Sequence, residues 1–308
     1  MISESEHSLA EQIEEYSNYL DRNAPNIQVD FPLNNFVEKL KEIKEREIAG
    51  TSIPDVLSPL VDEGINKFGT DIVGAYSKLL VLSLINQYPI NINNSIVSDN
   101  IKKLYPATFK RIQTWILRTP NDVYVTERRL FARDVRLAAL LSVPISASRL
   151  MDLYAFLPST FYRYMGYPEN LKALAFVVSK LHGLEPFFQI HIDERDTSEL
   201  YDNGFNIAYR NVAEMLLLYP RHKGSIATSW TLDPALDEIN PKIAFSRQNQ
   251  VANGAFLKRE GPNDTATQFA LKKSASRREL FESGNYLPCD YTVVWPRKNL
   301  LNWSKRYN

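Results

Sequence analysis

Phe187-Phe188-Gln189-Ile190-His191-Ile192-Asp193 is the stretch that decides the fold. Successive side chains on an extended backbone point to opposite faces, so Phe188, Ile190 and Ile192 share one face and Gln189, His191 and Asp193 the other. One face is apolar and the other polar, which predicts a strand over 187–193. Downstream, Ala208, Val212, Met215 and Leu216 recur at i, i+4, i+7 and i+8, which predicts a helix over 206–218. Further strands are predicted at 225–231, 254–258 and 291–295. The intervening helices fall at 237–245 and 264–283, with a short terminal helix at 298–303. Strands alternating with helices define a mixed α/β layer.

Working upstream, the period changes from two to 3.6. Residues 58–68, 72–85, 109–117 and 128–143 each read as amphipathic or buried helix. Pro89, Pro106, Pro120, Pro144, Pro158 and Pro168 punctuate this region. In the first fifty residues Leu9, Ile13, Tyr16 and Leu20 keep helical spacing, and Phe36, Val37, Leu40 and Ile43 resume it after a break. The expected organisation is an acidic helical arm (1–50), a helical domain (51–183) and a small mixed α/β domain (184–308). The fold class is therefore α+β or α/β, helical first and mixed sheet second. The aromatic run Tyr162-Arg163-Tyr164-Met165-Gly166-Tyr167 reads as packing.

The 308 residues carry 36 basic and 36 acidic side chains, a formal charge of zero. That neutrality is a cancellation. Residues 1–50 hold 5 basic and 11 acidic side chains, and residues 240–308 hold 12 basic and 5 acidic. Either the two ends face each other, or the basic end meets an anion, or both are solvated faces. Zero net charge argues against a nucleic-acid or membrane coat, so the expected partner is a small molecule. A single cysteine, Cys289, permits neither an intrachain disulfide nor a thiolate cluster. With an acidic, polar start and no long apolar run, the expected compartment is the cytoplasm. The 11 glycines form no G-x-G-x-x-G and no P-loop, and G-x-S-x-G is absent, which removes the usual dinucleotide, nucleotide and α/β-hydrolase readings.

His191 and Asp193 stand together at the C-terminal end of a strand, where open α/β sheets build their sites. A carboxylate beside an imidazole holds it in one tautomer, so His191 is a candidate general base with Asp193 orienting it. A polar strand end running into Glu194-Arg195-Asp196 explains the same residues without chemistry. With His222 the pair also resembles the facial triad of iron oxygenases. Ser229 lies near the end of the strand over 225–231, next to Trp230. In the basic segment, Ser276 and Glu279 form a capping-box pattern and Gly284 suits the end of that helix. Arg277 and Arg278 then occupy a first turn, where cations oppose the helix dipole unless an anion binds there. Lys272, Lys273 and Arg297 extend this patch. The alternative is one continuous helix over 264–283 with a solvated basic face. Cys289 has no cation in its immediate sequence to activate it.

The order of a strand with His191, a helix through Tyr209, a strand ending Ser229-Trp230 and a further helix and strand resembles the later half of GCN5-related N-acyltransferase domains. Ser229-Trp230-x-x-Asp233-Pro234-x-Leu236, Ser274-x-Ser276-Arg277-Arg278 and Trp295-Pro296-Arg297 are similar to segments of uncharacterised bacterial proteins near such domains. The resemblance covers residues 187–308. It implies acyl transfer from coenzyme A or an acyl-CoA to a small amine or hydroxyl. His191 and Asp193 would be the catalytic pair, Ser229 or a backbone N–H would support the carbonyl oxygen, and Trp230 and Trp295 would line the pocket. The Q/R-x-x-G-x-G/A turn of that superfamily does not occur, so Arg277, Arg278 and Arg297 would hold the cofactor's phosphates. Two other readings remain: a binding or scaffold protein with an anion-binding α/β domain, and a non-haem iron oxygenase.

Overall fold

The computed structural model describes residues 8–43, 53–157, 161, 168–181, 186–200, 202–272 and 274–307. The chain packs as two compact units, residues 1–144 and 145–308.

The first unit is helical: α1 (Leu9–Asn23), α2 (Leu33–Lys41), α3 (Ser58–Phe68), α4 (Thr70–Asn93), α5 (Tyr105–Arg118), α6 (Asn121–Thr126) and α7 (Arg128–Ala138). Ser8 starts α1 with a reciprocal capping box, its hydroxyl accepting from Glu11 N while Glu11 Oε2 accepts from Ser8 N. Helix α4 is apolar on all sides and is buried on all sides from Val73 to Leu82, the pattern of a central helix. Helices α1, α3, α6 and α7 pack around it. A Cβ on Gly74 would lie 1.9 Å from Asn121 O, so only glycine lets α6 approach this closely. Among the described residues no helix is long and apolar enough to cross a membrane.

Lys78 is buried inside this apolar helix. Its Nζ donates to Thr119 O at the end of α5 and lies 5.5 Å from the Tyr16 ring centroid and 5.8 Å from that of Tyr124. Burial pushes its pKa down to about 8, against the opposing pull of the Asp71 and Asp122 carboxylates. The folded chain therefore releases a proton that the unfolded chain still holds between about pH 8 and the usual lysine value. Stability is expected to rise with pH across that window, with the cost of burying the charge felt in full below it. Urea midpoints at pH 7.5 and 9.5 measure this. The wild type should be more stable at pH 9.5, and Lys78→Met should lose the difference; a flat wild-type response would overturn the assignment.

A six-stranded sheet in the order β1-β2-β3-β4-β6-β5 follows, with its first strand running across residue 144 and the other five within the second unit. Its strands are β1 (Ser142–Ser146), β2 (Arg149–Ala155), β3 (Phe187–Ile192), β4 (Gly224–Ser229), β5 (Phe256–Pro262) and β6 (Cys289–Pro296). Helix α8 (Pro168–Phe176) continues as a π-turn (Val177–Leu181) before β3, and α9 (Asp202–Leu218) links β3 to β4. Then come α10 (Pro241–Ala252), α11 (Asp264–Lys272), α12 (Ala275–Glu282) and the terminal α13 (Arg297–Ser304). β3 and β4 run parallel, while β2/β3, β4/β6 and β5/β6 are antiparallel.

Mixed sheet after helices is the architecture expected from the sequence, with three corrections. The stretch 142–155, included in the helical region, forms β1 and β2. Both are buried almost throughout, so neither face is polar and no alternation marks them as strands. The residues 264–283 form two helices, because Ser274 caps α12 by accepting from Arg277 N at 3.3 Å. Ser276, the expected cap, instead lies inside α12, its hydroxyl 3.2 Å from that of Ser274. The aromatic run 162–167, His182 and Lys273 lie outside the described residues.

Both faces of the sheet are covered in part. Ala173, Val177 and Leu181 of α8 and its π-turn pack with Phe187, Ile226 and Val294 on one face. On the other, Trp295 packs against Trp303, Tyr209 and Phe205 from α13 and α9. The loop after β3 is tied down by Arg149, which donates to Glu199 O at 2.8 Å and Leu200 O at 2.6 Å. Glu199 Oε2 in turn accepts from Ala147 N at 2.7 Å.

Candidate functional site

β3 and β4 are paired at Phe188 with Ser225 and Gln189 with Ile226, all near the starts of the strands. Their C-terminal halves carry no such pairs. Two residues beyond the last pair come His191 on β3 and Thr228 on β4, on the same face as Gln189 and Ile226. The C-terminal ends of parallel strands are where an α/β sheet opens to a ligand.

Along this face the sheet has an apolar rung and a polar one. The apolar rung runs Ile226, Val294, Phe256 and lies under α8. The polar rung runs Thr228, Thr292, Lys258. Thr228 and Thr292 hydroxyls are 2.8 Å apart, and Lys258 Nζ donates to Glu260 Oε2 at 2.9 Å. Thr228 is solvent-exposed although it lies on an interior strand of the sheet.

His191 Nε2 lies 3.0 Å from Asp152 Oδ2. Asp152 reaches it from β2, where the register sets Asp152 opposite Gln189 and Leu150 opposite His191. A carboxylate offers only acceptors, so Nε2 carries a proton and, in the neutral ring, Nδ1 carries the lone pair. Asp152 is buried and His191 half-buried, a pair held by the sheet with its imidazole within reach of solvent.

Asp193 does something else. It is 0% exposed, and its Oδ1 and Oδ2 accept from Arg195 Nε at 3.0 Å and Nη2 at 3.1 Å. Its own N–H donates to Ser148 O at 2.9 Å. The carboxylate at His191 is thus that of Asp152, where the sequence pointed to Asp193. Asp152 stands alone among the apolar residues Leu150, Met151 and Leu153, the one trace it leaves in the sequence.

Ser229 is on the opposite face from Thr228. Its hydroxyl accepts from Thr231 N at 3.1 Å and from the Thr231 hydroxyl at 2.9 Å, capping the turn Trp230–Leu232. His222 lies apart from His191 as well: its Nε2 is 2.7 Å from Leu153 O, and its ring stacks 4.3 Å from Phe188, whose side chain is on the other face of β3. His191, Asp193 and His222 therefore do not converge as an iron triad. Among the described residues no three His, Cys, Asp or Glu side chains are grouped to hold a metal ion.

Arg277, Arg278 and Arg297 meet backbone carbonyls. Arg277 is 7% exposed, donates from Nε to Ala270 O at 2.6 Å, and lies 4.9 Å from the Trp230 ring centroid. Arg278 Nη1 donates to Leu271 O at 2.8 Å. Both guanidiniums cap the C-terminal end of α11, which resolves the apparent conflict with the dipole of α12: the charges lie at the negative end of the preceding helix. Arg297 Nη1 donates to Tyr219 O at 3.0 Å, just past the end of α9, and burial lowers its pKa. Trp230 packs with Leu236, Ala244 and Tyr286, and Trp295 is fully buried, so it lines no open pocket. Cys289, without a cation near it in sequence, receives one from β5: Arg259 Nη2 is 3.1 Å from Sγ, and that contact raises the arginine's pKa.

No protein-family description and no curated protein matches the chain. Similar solved structures include an acyltransferase in complex with CoA and 10C-teicoplanin, 12% identical with a TM-score of 0.49, over 94% of this chain and 86% of that one. An acyltransferase mutant in complex with octanoyl-CoA is 9% identical with a TM-score of 0.38, over 92% and 99%. An acyltransferase in complex with decanoyl-CoA and teicoplanin is 10% identical with a TM-score of 0.37, over the same shares.

Proposed function

We propose that the sheet unit is an acyltransferase that moves an acyl group from a coenzyme A thioester to a small amine or hydroxyl. The observation that carries this is the His191–Asp152 pair at the end of β3, beside the exposed Thr228, where the parallel pairing of β3 and β4 has ended. The coenzyme A donor itself follows from the resemblance of residues 187–308 to acyltransferase domains.

In this reading His191 Nδ1 accepts the proton of the attacking amine or hydroxyl, and Asp152 stabilises the imidazolium that results. The acceptor's electron pair forms the new bond to the thioester carbonyl carbon, and the C–S bond breaks. The coenzyme A thiolate leaves with the bonding pair and takes the proton from the imidazolium. The Thr228 hydroxyl, or a backbone N–H at the end of β4, supports the carbonyl oxygen as it gains charge. Arg278, exposed beside the end of α11, is the arginine of the basic patch that would meet the donor's phosphates.

The test is direct. Purified full-length protein is mixed with acyl-CoAs of differing chain length and a panel of amines and alcohols. Acceptor-dependent release of free thiol, with acylated product seen by mass spectrometry, is the expected result. Acyl-CoA binding by calorimetry with no turnover on any acceptor would make this a binding protein instead.

A further inference from the structure

The polar rung does not end at the His191 site. Strands β3, β4, β6 and β5 are consecutive in the sheet. Thr292 is opposite Thr228 on one side and Lys258 on the other, so Lys258 faces the same way as His191. Three strand spacings separate them, roughly 14 Å between backbones, and two long side chains shorten that gap.

Lys258 is unusual for its place. Its side chain is 6% exposed, yet among the described residues its ammonium makes one hydrogen bond, to Glu260, and otherwise lies 5.6 Å from the Phe161 ring centroid. An ammonium has three donors, and a buried one left with donors to spare is costly. An apolar residue here would simply have extended the apolar rung through Phe256. The one exposed polar side chain between Lys258 and His191 is Thr228.

We propose that Lys258, steadied by Glu260, binds a carboxylate on the acyl acceptor, so that the acceptor class is amines carrying a carboxylate several bonds from the nucleophile. This rests on the acyl-transfer reading for His191, but the carboxylate site can be measured without it. An α-amino acid is too short to reach both groups, because its amine and carboxylate are separated by one carbon. To set its nucleophile at His191 and its carboxylate at Lys258, a spacer of several methylenes has to run past Thr228 and over Thr292, which is 1% exposed and so is covered in the free protein.

The probes are ω-amino carboxylates of increasing length and alkylamines of the same lengths, given to the full-length protein with saturating acyl-CoA. The quantity read is the ratio of kcat/KM for each carboxylate over its alkylamine, which cancels general damage to the enzyme. In the wild type this ratio should reach about 10- to 100-fold, the range of a hydrogen bond to a charged group, and should peak at an intermediate length. Lys258→Met should bring it close to one, and Lys258→Arg should restore it. A wild-type ratio near one at every length, or a ratio that survives Lys258→Met, overturns the proposal and leaves Lys258 as an inward-pointing charge that protects the edge strand β5. Calorimetric titration of the same compounds without donor separates the two readings. Carboxylate-dependent binding lost in Lys258→Met, with no thiol released from any acceptor, keeps the site and removes the acyl transfer. No carboxylate-dependent binding in the wild type, with no ratio to measure, removes the site.

Discussion

His191→Gln is expected to lower the rate of acyl transfer by about 10²- to 10⁴-fold while acyl-CoA still binds. That is the range lost when a positioned general base is removed. Glutamine keeps approximate size and polarity but cannot accept a proton at neutral pH. The loss should therefore fall on kcat and on the rising limb of the pH–rate profile rather than on donor affinity. Asp152→Asn should give a smaller loss in the same direction, because an amide can turn its NH₂ toward Nε2 and favour the wrong tautomer. Stopped-assay rates across a pH series, with calorimetry of acyl-CoA on each variant, check both. Activity within threefold of wild type in His191→Gln would remove this residue as the base.

The second large effect concerns the carboxylate nearest His191 in sequence. Asp193→Asn is expected to destabilise the fold by about 3–5 kcal/mol, the usual cost of breaking a buried ion pair from one side. Asp193 is wholly buried, the Arg195 side chain is 2% exposed, and the carboxylate also accepts from Arg195 N at 3.2 Å. Asparagine keeps one oxygen but removes the charge that balances the guanidinium. Urea denaturation of Asp193→Asn, Arg195→Met and the double variant measures the coupling. The double variant should recover much of the single loss, since removing both charges also removes the desolvation penalty. A loss below about 1 kcal/mol in Asp193→Asn, the range of an exposed pair, would sink the account.

These two aspartates show how far the sequence carries. The face of β3 on which His191 lies was legible because that strand alternates, and the period of two survives in any sequence that folds that way. The partner of His191 was not. Asp152 lies in β2, whose residues are buried on nearly every side, and a strand without a polar face has no alternation to read. The carbonyl partners of the arginines are hidden in the sequence for a different reason. A first-turn arginine in α12 looks misplaced with respect to its own helix and well placed with respect to the end of α11. Which helix end a long side chain reaches is a matter of where the chain turns, here at Ser274 rather than Ser276, and two serines two residues apart offer nearly equal caps.

Taken by itself, the sequence determined the order of helices and then mixed sheet, the strands β3, β4 and β6, the helix α9 and the position of His191. Each of these depends on local periodicity, which is set by backbone geometry over a handful of residues. Only the tertiary structure decided that Asp152 rather than Asp193 meets His191, that Arg277 and Arg278 donate to the last carbonyls of α11, and that Thr228, Thr292 and Lys258 form one rung across three strands. Those facts depend on the register between strands far apart in the chain, and register is fixed by packing on both faces of the sheet rather than by any short run of residues.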